Sequence, residues 1–311
     1  IISAEAPPIV GGVASWVDDV SRTLRQFGNE VTVFSHLGAQ AGGSVTHKIR
    51  GRNWQALQHI WTWISARKHT ADAVIFSTWE LAIWLAPEFK RRNSRIFIAS
   101  HGSDVTRILS SSDQQKILQL DAIIDAWIPV SEYLSGRIGT LGCQSLKKVL
   151  PMPLELDCTT PNLSPSDSLI CVARNTPYKG IDASIALAKE MGRELLLIGN
   201  HQQKRATHVS RLEALPRDQL RQLFSNSSAA LLLSTTDEHG AHAEGLGLCL
   251  LEAAAAGCPP IGSNVGGIPE AVGAGFLWTE QSSPSQINEH LKDPQLRRNC
   301  WDWVRDCHGE Q

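Results

Sequence analysis

The sequence predicts an α/β protein of two parallel-sheet domains. Short β-branched or Leu-rich runs alternate with amphipathic stretches along the chain, the pattern of βα units. The alternation breaks once, at Lys148-Val149-Leu150-Pro151-Met152-Pro153, where two prolines prevent a regular element and a polar, Pro-rich stretch from Thr159 to Ser168 follows. The 311 residues, 42% hydrophobic and 19% charged, are enough for two ordinary cores. The expected domains are therefore residues 1–153 and 154–311, with the last helix able to cross back to the first domain.

In the first half a strand is expected ahead of Pro7, then strands at Val31–Ser35, Ala73–Ser77, Ile96–Ser100 and Ala126–Val130. Helices are expected near Ser15–Phe27, Trp54–Lys68, Leu81–Arg91 and Ser131–Leu141. In the second half the strands are Leu169–Ala173, Glu194–Ile198, Ala229–Ser234 and one starting at Pro259-Pro260-Ile261. Helices are Ala183–Glu190, Pro216–Phe224 and one carrying Glu252, which Gly257 ends. The chain opens inside a strand, without Met, so residues are expected to precede Ile1.

A net charge of −2 gives no field for nucleic acid. The first 150 residues carry 16 Lys and Arg against 12 Asp and Glu. That mild excess suits an anionic acceptor or a lipid surface, or is only a solvated face. Seven cysteines without a CxxC pair argue against a disulfide framework or structural zinc, and for a reducing, cytoplasmic setting. No apolar run is long enough to span a bilayer, and Ile1-Ile2-Ser3-Ala4-Glu5 lacks the basic start of a signal peptide.

The densest chemical signal is HAEGLGLCLLEAAAAGCPPIGSNVGGIPEAV, His242 to Val272. Seven residues separate Glu244 from Glu252. The first precedes a short apolar helix and the second lies inside it. A helix start offers unpaired N–H groups and a positive dipole end, a ready place for a phosphate or a sugar hydroxyl. Gly245 and Gly247 allow close approach to the backbone. Glu252 can accept hydrogen bonds from two adjacent hydroxyls, as a ribose presents. The segment reads as a nucleotide-sugar site.

The run resembles the signature of the family 4 (group 1) retaining glycosyltransferases, which have the GT-B fold. The match lies in Glu244-Gly245-Leu246-Gly247, Leu251-Glu252-Ala253, Gly257-Cys258-Pro259 and Val265-Gly266-Gly267-Ile268-Pro269-Glu270. The resemblance implies two Rossmann-like domains facing a central cleft. It also implies transfer, with retention and without a metal, from a nucleoside-diphosphate sugar to a glycan, glycolipid or other hydroxyl acceptor, as in cell-surface polysaccharide or lipopolysaccharide synthesis. No other cofactor is expected, and UDP is the nucleotide expected first.

Val172-Ala173-Arg174-Asn175-Thr176-Pro177-Tyr178-Lys179-Gly180 resembles the family's VGR…KG segment, in which Arg and Lys grip the donor diphosphate. A departing diphosphate gains negative charge, which two fixed cations stabilise. No Asp-x-Asp metal clamp occurs in the chain. Leu195-Leu196-Leu197-Ile198-Gly199-Asn200 resembles the strand and turn near the nucleoside, with Gly199 and Asn200 at its end; the usual GxG is replaced, since His201 follows. Gly11-Gly12 matches a family GG turn whose amides meet the donor phosphate. His101-Gly102-Ser103-Asp104 resembles HGxD, which sets His101 against the transferred sugar; Asp104 is expected to orient it or meet the acceptor, and is placed with the donor-sugar residues. The amides of Gly245, Leu246, Gly247 and Leu248 are expected on the donor sugar. Glu244 and His101 are expected at the reaction centre, Glu244 without acting as a nucleophile. The plain alternatives are surface cations after a strand, tight strand–helix turns and a structural histidine. His239 and His242 read as ordinary loop residues and not as metal ligands.

Ten tryptophans are many for this length, and Arg50, Arg52, Trp54, Trp61, Trp63, Arg67 and Lys68 cluster. Basic residues with Trp suit an interfacial helix on anionic lipid, a peripheral contact on the inner membrane face; packing of Trp into the domain core explains the same pattern. Two other functions remain: a non-catalytic nucleotide-sugar or glycan-binding module, and a sugar-nucleotide epimerase or phosphorylase on the same fold.

Overall fold

A computed structural model describes residues 1–37, 66–150, 152–154, 161–201, 206–236 and 243–309. The chain divides into two compact units, Ile1–Pro153 and Leu154–Gln311. Among the described residues, no helix is long and apolar enough to cross a membrane. The expected helix Trp54–Lys68 lies almost wholly outside these residues, as do Pro151, Glu155 and the loop Asp237–His242.

The first unit runs β1 (Ile2–Glu5), α1 (Gly12–Gln26), β2 (Phe34–Leu37), β3 (Ala73–Phe76), α2 (Trp79–Arg91), β4 (Arg95–Ser100), α3 (Ser103–Thr106), α4 (Ser111–Asp121), β5 (Ala126–Pro129) and α5 (Glu132–Thr140). Its strands pair in parallel in the order β2-β1-β3-β4-β5. Strand order reverses between β1 and β3, and ligands of open α/β sheets bind at such a reversal, beyond the strands' C-terminal ends. β2 was expected at Val31–Ser35 but starts at Phe34, because its pairing with β1 begins at Ile2 opposite Phe34. Ile2, Phe76, Ile96, Ile98, Ile117, Leu134 and two tryptophans, Trp79 and Trp127, fill the core. Each indole nitrogen has a partner: Trp79 donates to the Asp104 carbonyl and Trp127 to the Asp121 carboxylate, both at 2.8 Å.

The second unit runs β6 (Leu169–Val172), a 3-10 turn (Pro177–Lys179), α6 (Ile181–Glu190), β7 (Leu195–Ile198), β8 (Val209–Leu212), α7 (Arg217–Asn226) and β9 (Ala229–Leu232). It continues with α8 (Leu248–Ala255), β10 (Pro260–Ser263), α9 (Ile268–Val272), β11 (Phe276–Trp278), α10 (Pro284–Leu291) and α11 (Leu296–His308). The six parallel strands are ordered β11-β10-β9-β6-β7-β8. Numbered within the unit this is 3-2-1-4-5-6 read from β8, the dinucleotide-binding order. β6, β7 and β9 read LICV, LLLI and AALL, the continuous apolar runs of strands covered on both faces. The strand-order reversal falls between β6 and β9. The turns leaving those two strands carry the residues described next.

Candidate active site

β6 ends at Val172, and the chain passes through Ala173 and Arg174 into the 3-10 turn. Gly180 closes that turn at φ +64°, and a Cβ there would lie 1.7 Å from the Leu233 carbonyl oxygen just beyond β9. Only glycine lets the two turns approach so closely. The Thr235 N–H donates to the Tyr178 carbonyl at 2.8 Å, tying them together. Lys179 thereby meets Glu244 in an ion pair, with side chains 13% and 15% exposed. Burial works against the ammonium, but the Glu244 carboxylate outweighs it and raises the Lys179 pKa.

The Glu244 backbone is held from behind. Its carbonyl accepts from the Gly267 N–H at 2.9 Å. A Cβ on Gly267 would lie 2.1 Å from the Gly245 oxygen. The second glycine run of the motif is thus the backing for the first, a role the sequence alone did not reveal. Leu246 is buried, and Leu248 opens α8 behind Gly247, with no side chain capping the helix. The Leu250 N–H donates to the Gly247 carbonyl at 2.8 Å, and no side chain caps the N–H groups of Leu248 and Cys249 ahead of it.

Glu252 lies inside α8, where its carboxylate accepts from Arg217 Nε at 3.2 Å. Arg217 opens α7 and escaped the sequence reading, being one more charge at a helix start. The two residues line a cavity of about 280 Å³ with Leu154, Arg221, Phe224 and Ala255. Cys249, one turn before Glu252, records how these charges gather. Burial first, and then the Glu244 and Glu252 carboxylates, push its thiol pKa up, against the pull of Lys179.

Arg174 is exposed and makes no ion pair among the described residues. The Gly199–Asn200 turn after β7 sits against Ala173, the residue before Arg174. Lys179, Glu244 and the start of α8 therefore share the strand-order reversal, and Arg174 stands at its β6 edge. Among the described residues no group of three His, Cys, Asp or Glu gathers as metal ligands, and His239 and His242 lie outside those residues.

In the first unit, Gly11-Gly12 begin α1 behind β1, at that sheet's own reversal. His101 and Asp104 follow β4. Asp104 is 7% exposed, and its Oδ1 accepts from the N–H groups of His101 and Gly102 at 3.1 and 2.8 Å. Its carboxylate thus shapes the turn that carries His101. Burial raises the Asp104 pKa to about 7 despite these hydrogen bonds. The His101 ring meets Trp16 of α1 edge-on at 4.8 Å, and its Nε2 is buried without a partner among the described residues. Burial lowers its pKa to about 4, so the imidazole is neutral at physiological pH. Trp16 thus ties α1 to the turn that carries His101, and its position in the sequence gave no signal of that.

Residues 162–300 match the family model described as glycosyl transferases group 1. The chain is 24% identical over 318 aligned residues, 88% of this chain and 82% of its relative, to the GDP-mannose-dependent alpha-(1-6)-phosphatidylinositol monomannoside mannosyltransferase of Mycobacterium tuberculosis. It is 23% identical over 96% of its length to the GDP-mannose-dependent monoacylated alpha-(1-6)-phosphatidylinositol monomannoside mannosyltransferase of Corynebacterium glutamicum, covering 89% of that chain. Among solved structures it resembles HepE of Anabaena, crystallised with UDP and glucose, with TM-score 0.73 and 16% identity over 99% of this chain and 95% of that one. The second unit thus matches the group 1 glycosyl transferases over residues 162–300, and with both units sharing the architecture of such solved structures the chain has the GT-B fold.

Proposed function

We propose that the protein moves a hexosyl group from a nucleoside-diphosphate sugar to a hydroxyl of a lipid-linked or glycan acceptor, with retention and without a metal. The Lys179–Glu244 pair at the β6/β9 reversal carries this reading. Glu244 keeps a largely buried ammonium charged, so Lys179 meets the donor diphosphate as a full cation and stabilises the charge it gains on leaving. Arg174 supplies a second cation. The N–H groups of Leu248 and Cys249, which no side chain caps, hold the sugar together with the turn Gly245–Gly247, and Glu252, aligned by Arg217, takes the ribose. Gly11 and Gly12 offer amides to the donor phosphate. His101, neutral, hydrogen-bonds a sugar hydroxyl through the Nε2 that lacks a partner, and Asp104 sets its turn.

In the proposed step the acceptor oxygen bonds to the anomeric carbon on the face that the diphosphate leaves. The carbon–oxygen bond to phosphate breaks, and the acceptor proton passes to the departing phosphate oxygen. Retention follows from this same-face exchange. The names of the two mannosyltransferase relatives support GDP-mannose as donor and a phosphatidylinositol-type lipid as acceptor; a HepE structure in complex with UDP-glucose supports that donor instead. A screen of GDP-, UDP-, ADP- and dTDP-sugars with lipid-linked acceptors, read by proton NMR of the product anomer, tests the proposal. Transfer with the donor's anomeric configuration kept is the expected result. An inverted product would refute the same-face step, and nucleotide binding without turnover of any donor would favour the non-catalytic module.

A further inference from the structure

One side chain carries the turn after β7 back onto the turn after β6. His201 is 1% exposed, and its Nε2–H donates to the Ala173 carbonyl at 2.8 Å. A carbonyl only accepts, so the proton sits on Nε2. Ala173 is gripped on its other side too, since its N–H donates to the Ile198 carbonyl at 3.2 Å. Gly199 makes room for this contact. It has φ +130°, and a Cβ there would lie 2.4 Å from the Ala173 oxygen and 2.9 Å from His201 Nε2. Ring and glycine are thus a matched pair, standing where the family pattern has a second glycine. The next residue after Ala173 is Arg174, whose exposed side chain makes no ion pair among the described residues. A long exposed side chain is placed mainly by where its Cα is held, and misplacement of a binding cation costs affinity.

We infer that His201 is a positioning residue: by clamping the Ala173 carbonyl it fixes the backbone from which Arg174 reaches the donor diphosphate. The inference rests on the diphosphate role proposed for Arg174. Its signature is that His201 acts through Arg174 alone. H201L fills the ring's space without a donor, H201M does so with a flexible chain should the branched residue not fold, and H201Q keeps an N–H for the Ala173 oxygen.

GDP is titrated calorimetrically into the full chain, below the melting midpoint of every variant. R174A and the donor-free variant each weaken binding by about tenfold, and H201Q stays within about threefold of wild type. In the R174A background, removing the His201 donor changes affinity by less than about twofold, because the two residues form one unit. A tenfold loss in both backgrounds, or wild-type affinity in H201L, overturns the inference. Wild-type affinity in R174A is a separate failure: it removes Arg174 from the diphosphate site and refutes the reading beneath.

Discussion

A lysine as buried as Lys179 keeps its charge only with an opposite charge beside it, and Glu244 supplies that. Removing one member of such a pair costs about 3 kcal/mol, because the other is left uncompensated. K179M and E244Q are each expected to lose about that much in urea unfolding, and the double variant less than the sum, with K179M also losing transfer activity. Additive losses would mean the side chains do not interact. A second pair of buried groups, His101 and Asp104, gives a pH test. His101 titrates near 4 when folded against about 6.5 unfolded, so between those values only the unfolded state holds its proton and stability rises with pH. Asp104 titrates near 7 when folded against about 3.9 unfolded, so there the folded state holds the extra proton and stability falls as pH rises. The two slopes, each up to about 1.4 kcal/mol per pH unit, oppose one another between pH about 4 and 6.5. Relative to wild type, D104N unmasks the rising slope and H101N the falling one in melts across that range; parallel curves for all three would contradict the burial of both groups.

At the scale of elements, close backbone contact is what the motif glycines provide. Gly180 and Gly192 have nearly the same dihedral, φ +64° and +70°, but a Cβ on Gly180 would strike Leu233 while one on Gly192 meets nothing within 4 Å. G192A is expected to cost about 1–2 kcal/mol from backbone strain alone. G180A adds the collision and is expected to cost at least about 3 kcal/mol, with loss of activity. Equal melting points would show the β6 and β9 turns to be farther apart than described. Local pattern made most of these elements legible. The apolar runs of β6, β7 and β9 and the helix holding Glu252 could be read directly, since strands buried on both faces and a Gly-ended apolar helix leave plain signals. Elements with thin apolar faces were missed. β8 is an edge strand reading VSRL, β11 has three residues, and α4 buries only Ile117, Leu120 and Asp121. A signal for α4 was present nonetheless, because Ser110 accepts from the Asp113 N–H at 3.1 Å, a Ser cap three residues ahead of an acid.

In the molecule as a whole, strand order turns two local motifs into one site. Lys179 and Glu244 are 65 residues apart in sequence, and no spacing rule pairs them. They meet because β6 lies beside β9 in the sheet, so the turns leaving those strands are neighbours. Family likeness gave each residue a role, but the ion pair, the Arg217–Glu252 contact and the Trp16–His101 contact depend on tertiary neighbours and became visible only in the fold. The central claim is that the β6/β9 reversal of the second unit binds a nucleoside diphosphate through Lys179. Calorimetric titration of GDP and UDP into the wild-type chain and into folded K179M tests it most directly. At least one nucleotide should bind wild type and bind K179M more than about tenfold more weakly; equal affinity for both proteins, or no binding of either nucleotide to wild type, would contradict it.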